Sequence, residues 1–231
     1  MILLAFETST EACSVALWTD GEVRERFEVA PRRHAELALP WAEALLAEAG
    51  IARSRLDAVA VGRGPGAFTG VRLGVAIAQG IALALDLPVQ PVSTLAALAA
   101  QAGAGARVLA AIDARMGEVY LGAFAHEGDA LVPVQDEAVG EPDAIAVPEG
   151  DGWRALGTGF GAKQGALRER LGNRLVAVDA SALPHAADVA RLAAALLANG
   201  GGVAPERLEP AYLRDQVALT LAQQRAARGT P

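Results

Sequence analysis

The chain has 231 residues, just over half of them apolar, and carries 27 acidic against 20 basic side chains for a formal charge of −7. That length accommodates one large domain or two small ones with a sizeable core, and so apolar a composition argues against disorder. The acidic balance excludes a chain that binds nucleic acid by charge alone, because phosphate neutralisation by Lys and Arg supplies most non-specific affinity; a role beside RNA calls for another subunit.

Met1 to Phe6 reads as a buried strand that ends in the polar turn Glu7-Thr8-Ser9-Thr10. Cys13 to Trp18 alternates, Asp20-Gly21 signals a hairpin, and Glu22 to Val29 returns. Strand, polar turn, strand, turn, strand is how the lobes of actin-like ATPases and sugar kinases begin, with the polar turn gripping phosphate; this is a likeness of fold alone. The opening apolar run is too short for a signal sequence and has no basic region before it, and the single cysteine, Cys13, agrees with a reducing compartment, so a cytoplasmic protein is expected.

A helix is expected over Ala35 to Ala49, with Leu37, Trp41, Leu45 and Leu46 on its apolar side; Pro40 is expected to kink it or start a new one. The most informative stretch is Val59 to Leu85, a short strand, a turn of Gly62, Gly64, Pro65 and Gly66, then about four turns of helix. Thr69 is placed to cap that helix, with Phe68 stapled onto Leu73. Val71, Leu73, Val75, Ile77, Ile81, Leu83 and Leu85 surround the helix, and only Arg72 and Gln79 interrupt them. A helix apolar on all sides is normally buried on all sides. Gly70, Gly74, Ala76, Ala78, Gly80 and Ala84 form flat ridges that admit another backbone. One lobe's core covers one face, so the other face calls for a second helix from this chain or another. Arg72, Gln79 and Asp86 punctuate the run, which therefore does not read as a membrane span.

A strand at Val89 to Val92 and a helix from Thr94 to Ala102 lead to Gly103 to Gly105, the expected lobe boundary. Residues 1–104 are then a first lobe carrying the partner-binding helices, and 105–231 a smaller second lobe whose end packs back on the first. Val108 to Ile112 and Glu118 to Ala125 read as strands around the turn Asp113 to Gly117, repeating the order of the first lobe. Glu127 to Gly152 reads as loops around short strands, Gly157 to Gly161 as a turn into a helix ending near Leu171, Ala186 to Asn199 as a helix, and Arg225 to Pro231 as a frayed end. The fold class is α/β, two-lobed and actin-like, with ribonuclease H-like lobes.

The motifs GRGPGAFTGVRLG, DARMGEVY and EPAYLRD, together with FETSTEACSVALW at Phe6 to Trp18, closely resemble the bacterial TsaB (YeaZ) family. The resemblance implies the two-lobed ASKHA fold with a degenerate nucleotide site. It also implies a role in forming N6-threonylcarbamoyladenosine at position 37 of tRNAs that read codons beginning with A. In that family the transferase is a paralogue, TsaD, which holds the metal and nucleotide; TsaE is an ATPase partner. TsaB-like chains pair with TsaD through a helix bundle, form homodimers alone, and meet tRNA through the complex. ATP or ADP and Mg²⁺ are expected in that assembly, not bound by this chain.

Candidate interface residues are His34, Leu37, Trp41, Phe68, Arg72, Leu73, Val75 and Gln79. Arg72 is expected to pair with an acid, within its lobe or across the interface. No metal site is visible: Ala38 stands where a second histidine four residues after His34 would complete a TsaD-type pair, and His126 and His185 have no imidazole near in sequence. Glycine turns before helices do present N–H groups to anions, but Gly62 to Thr69 lacks the lysine of a P-loop. Glu7, Thr8, Thr10 and Asp113 remain weak candidates for binding a nucleotide with Mg²⁺. They carry the alternative reading of a stand-alone ATPase or small-molecule kinase. A metallopeptidase, which requires zinc, has no ligand set here.

Overall fold

The computed structural model describes residues 1–128 and 130–214, so the expected fraying of 225–231 lies outside the described residues. The first sheet has the order β3-β2-β1-β4-β5, built from β1 (Ile2–Glu7), β2 (Ala12–Thr19), β3 (Glu22–Val29), β4 (Ala58–Gly62) and β5 (Val89–Val92). The β1–β2–β3 meander is antiparallel, and β4 and β5 are added parallel. The second sheet, β10-β9-β6-β7-β8, repeats that plan with β6 (Arg107–Arg115), β7 (Glu118–Glu127), β8 (Ala130–Gly140), β9 (Trp153–Leu156) and β10 (Leu175–Asp179). Its first three strands are antiparallel and the last two parallel. Two meanders each extended by parallel strands form the expected pair of like lobes.

Alternation along the strands divides the first lobe's core into two layers. Leu4, Phe6, Val15, Leu17, Val59 and Val61 face α1 (His34–Ala49) and α2 (Phe68–Leu85). Leu3, Ala5, Ala16, Ala58 and Ala60 face α5 (Ala186–Ala198) and Ala97 of α3 (Thr94–Ala100). From its other side α3 sends Leu95 and Leu98 onto Val108, Ala110 and Phe124 of the second sheet, so one short helix is wedged between both sheets. The opposite face of the second sheet packs Trp153 and Phe160 against Leu167 and Leu171 of α4 (Ala166–Leu171).

Three expectations fail for identifiable reasons. Pro40 does not start a new helix, since α1 runs through it without a break; the carbonyl that loses its partner belongs to Glu36, which is exposed and open to water. Residues 127–152 contain the eleven-residue strand β8. It is an edge strand, paired only with β7, and an edge tolerates Pro133 and the acidic residues that obscured it. The helix expected from Gly161 is broken, because Lys163 and Gln164 adopt φ of 47° and 59°, and only its last six residues are α-helical.

By length and composition α2 could cross a bilayer. It is instead the crossover of a parallel β4–α2–β5 unit, with Val71, Val75, Ala78 and Ala82 packed inward.

The last helix is pinned to the first sheet by one polar cluster. His185 Nδ1 lies 2.9 Å from Glu25 Oε2. The Ser14 hydroxyl donates to Glu25 Oε1 at 2.6 Å, and the amides of Ala186 and Ala187 donate to Ser14 Oγ and Glu25 Oε1. Phe27 stacks on the imidazole, with ring centroids 4.1 Å apart. Burial alone would raise the Glu25 carboxyl, but the bonds from His185, Ser14 and Ala187 outweigh it and hold it below the ordinary range. The bond to Glu25 raises His185. A raised folded pKa stabilises fully below the unfolded value, about 6.5, and the contribution is lost as pH climbs through the folded value. His185→Gln is therefore expected to cost about 1 kcal/mol in mildly acidic buffer and progressively less toward alkaline pH. Urea unfolding of both proteins across that range tests this, and a difference that does not change with pH contradicts it.

Candidate functional site: an inter-lobe cleft and an outer groove

A cleft of about 850 Å³ opens between the lobes. Its walls are Ser9 and Thr10 of the first turn, the start of α2, Asp113 to Arg115 of the second turn, and the tail from Pro210 to Arg214. In this fold the two turns are where phosphate is gripped, but here the first is closed on its own polypeptide. The Ser9 amide donates to Glu7 Oε1 at 2.7 Å. Thr94 Oγ1 lies 3.0 Å from both Glu7 Oε2 and Ser9 Oγ, and accepts from the Gly64 amide at 3.2 Å. Thr8 donates to the Gly70 carbonyl at 2.7 Å, Thr10 Oγ1 accepts from the Ala12 amide at 3.3 Å, and His34 Nε2 sits 2.9 Å from the Thr10 carbonyl and 3.1 Å from that of Ala12.

The glycine motif is what permits this closure. A Cβ on Gly66 would lie 2.3 Å from the Ser9 carbonyl oxygen, one on Gly70 2.0 Å from that of Thr8, and one on Gly62 1.9 Å from a Glu7 carboxylate oxygen. The close approach assigned above to a second helix is thus made, at Gly70 and Gly74, by the chain's own first turn. Gly80 alone of the helix's glycines faces open space.

Glu7 is 1% exposed, and burial pushes its carboxyl up against the opposing hydrogen bonds from Ser9 and Thr94. It does not line the cleft, whereas Asp113 does. Asp113 accepts from the Arg115 amide at 2.8 Å and pairs with the Arg115 guanidinium at 3.2 Å. The two carboxylates proposed for Mg²⁺ are therefore not brought together in the cleft. Arg115 and Met116 occupy left-handed backbone, φ 63° and 56°, where glycines would let a backbone cradle phosphate. These residues do not fit a magnesium-bound nucleotide held in the manner of the fold. Among the described residues no three His, Cys, Asp or Glu side chains converge as a metal site. Cys13 is buried, and desolvation pushes its thiol up to about 11, the state of an inert structural cysteine.

The candidate interface residues separate into groups. Val75 is a core residue, because it faces β4 within its own lobe. Leu37 and Trp41 are half-buried against the same core. Gln79 donates to the carbonyls of Pro205 and Leu208 at 3.1 and 3.2 Å, so it fastens the chain's own tail. Arg72 has no acidic partner among the described residues; its guanidinium lies over the Phe68 ring at 3.2 Å, and 5.1 Å from the Tyr212 ring. Phe68 is thus covered by Arg72, and Ala67, not Thr69, occupies the N-cap, with no side-chain cap bond. Leu73 and Phe68 line the cleft.

Sequence reasoning expected the chain's end to pack back on the first lobe and a face of α2 to lie uncovered, but did not name Leu39, Leu83, Tyr212 or Arg214 as the residues concerned. The Ala211 amide donates to the Arg63 carbonyl at 2.8 Å, and Arg214 reaches the Ala114 carbonyl at 3.2 Å and the Glu118 carboxylate, so the EPAYLR segment ties one lobe to the other. On the outer side of α1 and α2 a groove of about 280 Å³ is lined by Leu39, Leu46, Gly80, Ile81 and Ala84. Leu39 is 46% and Leu83 56% exposed. The four-residue spacing of Ala76, Gly80 and Ala84 carried the signal, but the expected kink at Pro40 hid the contribution of Leu39.

Two like-topology α/β lobes around a cleft, with α5 returning to the first sheet, define a two-lobed protein of the ASKHA type. Comparison with known proteins agrees. The sequence matches the family described as TsaD, tRNA N6-adenosine threonylcarbamoyltransferase, over residues 27–221. It is 43% identical to the tRNA threonylcarbamoyladenosine biosynthesis protein TsaB of Escherichia coli (strain K12), across 94% of this chain and 96% of that one. The TsaB of Haemophilus influenzae is 39% identical across 94% and 95%. The solved structure of YeaZ from Pseudomonas aeruginosa is 50% identical, covers 92% of this chain and 99% of its own, and superposes with a TM-score of 0.85. The chain belongs to the TsaB (YeaZ) family, within the wider TsaD-like group.

The two kinds of glycine in α2 differ in a measurable way. Gly70→Ala forces a Cβ into the Thr8 carbonyl and is expected to cost about 3 kcal/mol or more, as overpacking does. Gly80→Ala meets nothing and is expected to stabilise by up to about 1 kcal/mol through helix propensity. Thermal unfolding of the two variants checks the contrast; equal effects contradict it.

Proposed function

We propose that this chain is a non-catalytic partner subunit in the formation of N6-threonylcarbamoyladenosine in tRNA, acting in the cytoplasm by binding and activating a TsaD-type transferase. Its relatives in Escherichia coli and Haemophilus influenzae are tRNA threonylcarbamoyladenosine biosynthesis proteins. The observation that carries the partner role is the outer face of α1 and α2. Leu39 and Leu83 stand exposed beside the small-residue ridge of Ala76, Gly80 and Ala84, where a helix axis can approach closely.

The inner face of each helix is occupied by its own sheet, so the pair forms a preformed platform. Docking there costs little conformational entropy, and a partner held on it is biased toward whichever of its conformations makes the better contact. The nucleotide, Mg²⁺ and threonylcarbamoyl chemistry belong in this reading to the transferase, with a TsaE-like ATPase joining through the complex. A second copy of this chain covers the same platform when the transferase is absent.

Leu39→Glu and Leu83→Glu place a charge where no core contact is disturbed. Each is expected to weaken binding to a TsaD-type protein by about 2 kcal/mol, some 25-fold, with unfolding temperature unchanged. Calorimetric titration measures the first and thermal unfolding the second. Reconstituted modification of unmodified tRNA is expected to require this chain and to fall with the same variants. Full modification in its absence contradicts the proposal.

A further inference from the structure

A chain with five phenylalanines and two tyrosines among its 231 residues exposes one of each at the mouth of the inter-lobe cleft. Phe68 is 63% and Tyr212 58% exposed, and the Arg72 guanidinium lies over both rings, 3.2 Å and 5.1 Å from their centroids. A cation over one face of each ring fixes the ring's plane and leaves its other face to solvent. Around them the cleft is lined by Arg32, Arg72, Arg115 and Arg214; Arg115 is paired with Asp113 and Arg214 with Glu118, which leaves Arg32 and Arg72 against the single acid Glu11, on a chain whose net charge is −7. Such a local excess of cations beside open rings is the reverse of the rest of the surface.

Flat apolar faces beside cations suit a ligand that is itself flat and anionic, which is the chemistry of a nucleotide. A free nucleoside phosphate depends on a loop of amides to hold its phosphates, and the first turn is drawn in on itself: the Ser9 amide is bonded to Glu7, and the Ser9 and Thr8 carbonyls fill the space beside Gly66 and Gly70. A strand of RNA makes a different demand, spreading its charge over successive phosphates and stacking an unpaired base on any ring it meets. An acidic peptide would use the arginines and leave both rings idle. We propose that the mouth of the cleft holds an unpaired segment of RNA, with a base stacked on Phe68 or Tyr212 and the flanking phosphates at Arg32 and Arg72.

This rests on the tRNA-modification reading and adds to it a direct, local contact between this subunit and the substrate. It also reconciles an acidic chain with an RNA substrate, since a few phosphates suffice at one cleft while the rest of the surface repels the polyanion.

The test is fluorescence anisotropy with the full chain and a labelled seven-nucleotide single-stranded RNA in low salt. Phe68→Ala and Tyr212→Ala alter exposed side chains, and circular dichroism checks that both variants fold. Binding by the unaltered chain is expected to weaken roughly tenfold with one of the two substitutions and in the double variant, and to fall with added salt with a slope corresponding to about two phosphates. Absence of binding at millimolar RNA overturns the proposal. So does affinity unchanged in the double variant, or displacement by a poly-aspartate peptide as readily as by unlabelled RNA. Reconstituted tRNA modification separates the two readings. If the chain is required there but binds no RNA, only this inference fails; if it binds RNA but is dispensable there, only the partner role fails.

Discussion

The structure depends on a close contact between the first turn and the start of α2. The Thr8 and Ser9 backbones lie where side chains on Gly70 and Gly66 would otherwise be, and Thr8 closes the seam by donating to the Gly70 carbonyl. Two flat positions four residues apart on α2, Gly70 and Gly74, put one ridge against the first turn, and Gly66 in the bend before the helix admits the Ser9 backbone. With the turn held there, Glu7 is enclosed with Thr94 and Ser9, and the phosphate-gripping loop of the fold becomes a piece of core.

The inner ridge of α2 is thereby used up within the lobe, which fixes the rotation of the helix. Ala76, Gly80 and Ala84 are turned to the outside, beside Leu39 of α1. Further round, at the N-terminal end, Phe68 and Arg72 reach the cleft and meet Tyr212 of the tail. One helix therefore presents three surfaces: a glycine face inward, a small-residue face outward, and a cationic, aromatic end at the cleft. The tail strengthens this arrangement, because Gln79 holds the carbonyls of Pro205 and Leu208 while Arg214 holds the second lobe.

Much of this was legible in the sequence. The strand, polar turn and strand at the start of each lobe are local patterns of alternation and turn chemistry, and they give β1 to β3 within a residue, while β6 runs on through Asp113 to Arg115, where a turn is expected, and β7 ends two residues late. The short parallel strands β9 and β10 were missed because a run such as WRAL has no pattern of its own and becomes a strand only by pairing beside β6. The excess of apolar surface on α2 was visible, but its division between inside and outside was not. Composition cannot distinguish Gly70, filled by Thr8, from Gly80, facing open space. The site residues suffered for the same reason: Val75, Gln79 and His34 are engaged by partners distant in sequence, while Leu39, Leu83 and Tyr212 gain their roles only from what lies beside them in space.

The central claim is that the outward ridge of α2 is covered by a partner chain. The most direct measurement is the rate at which a thiol-reactive probe labels Ala84→Cys, the native Cys13 being buried, alone and with a TsaD-type transferase. The account predicts that labelling slows by more than tenfold at saturating transferase, while a cysteine placed on the exposed second-lobe position Val176 reacts at an unchanged rate. Equal labelling of Ala84→Cys with and without a transferase known to be bound contradicts it.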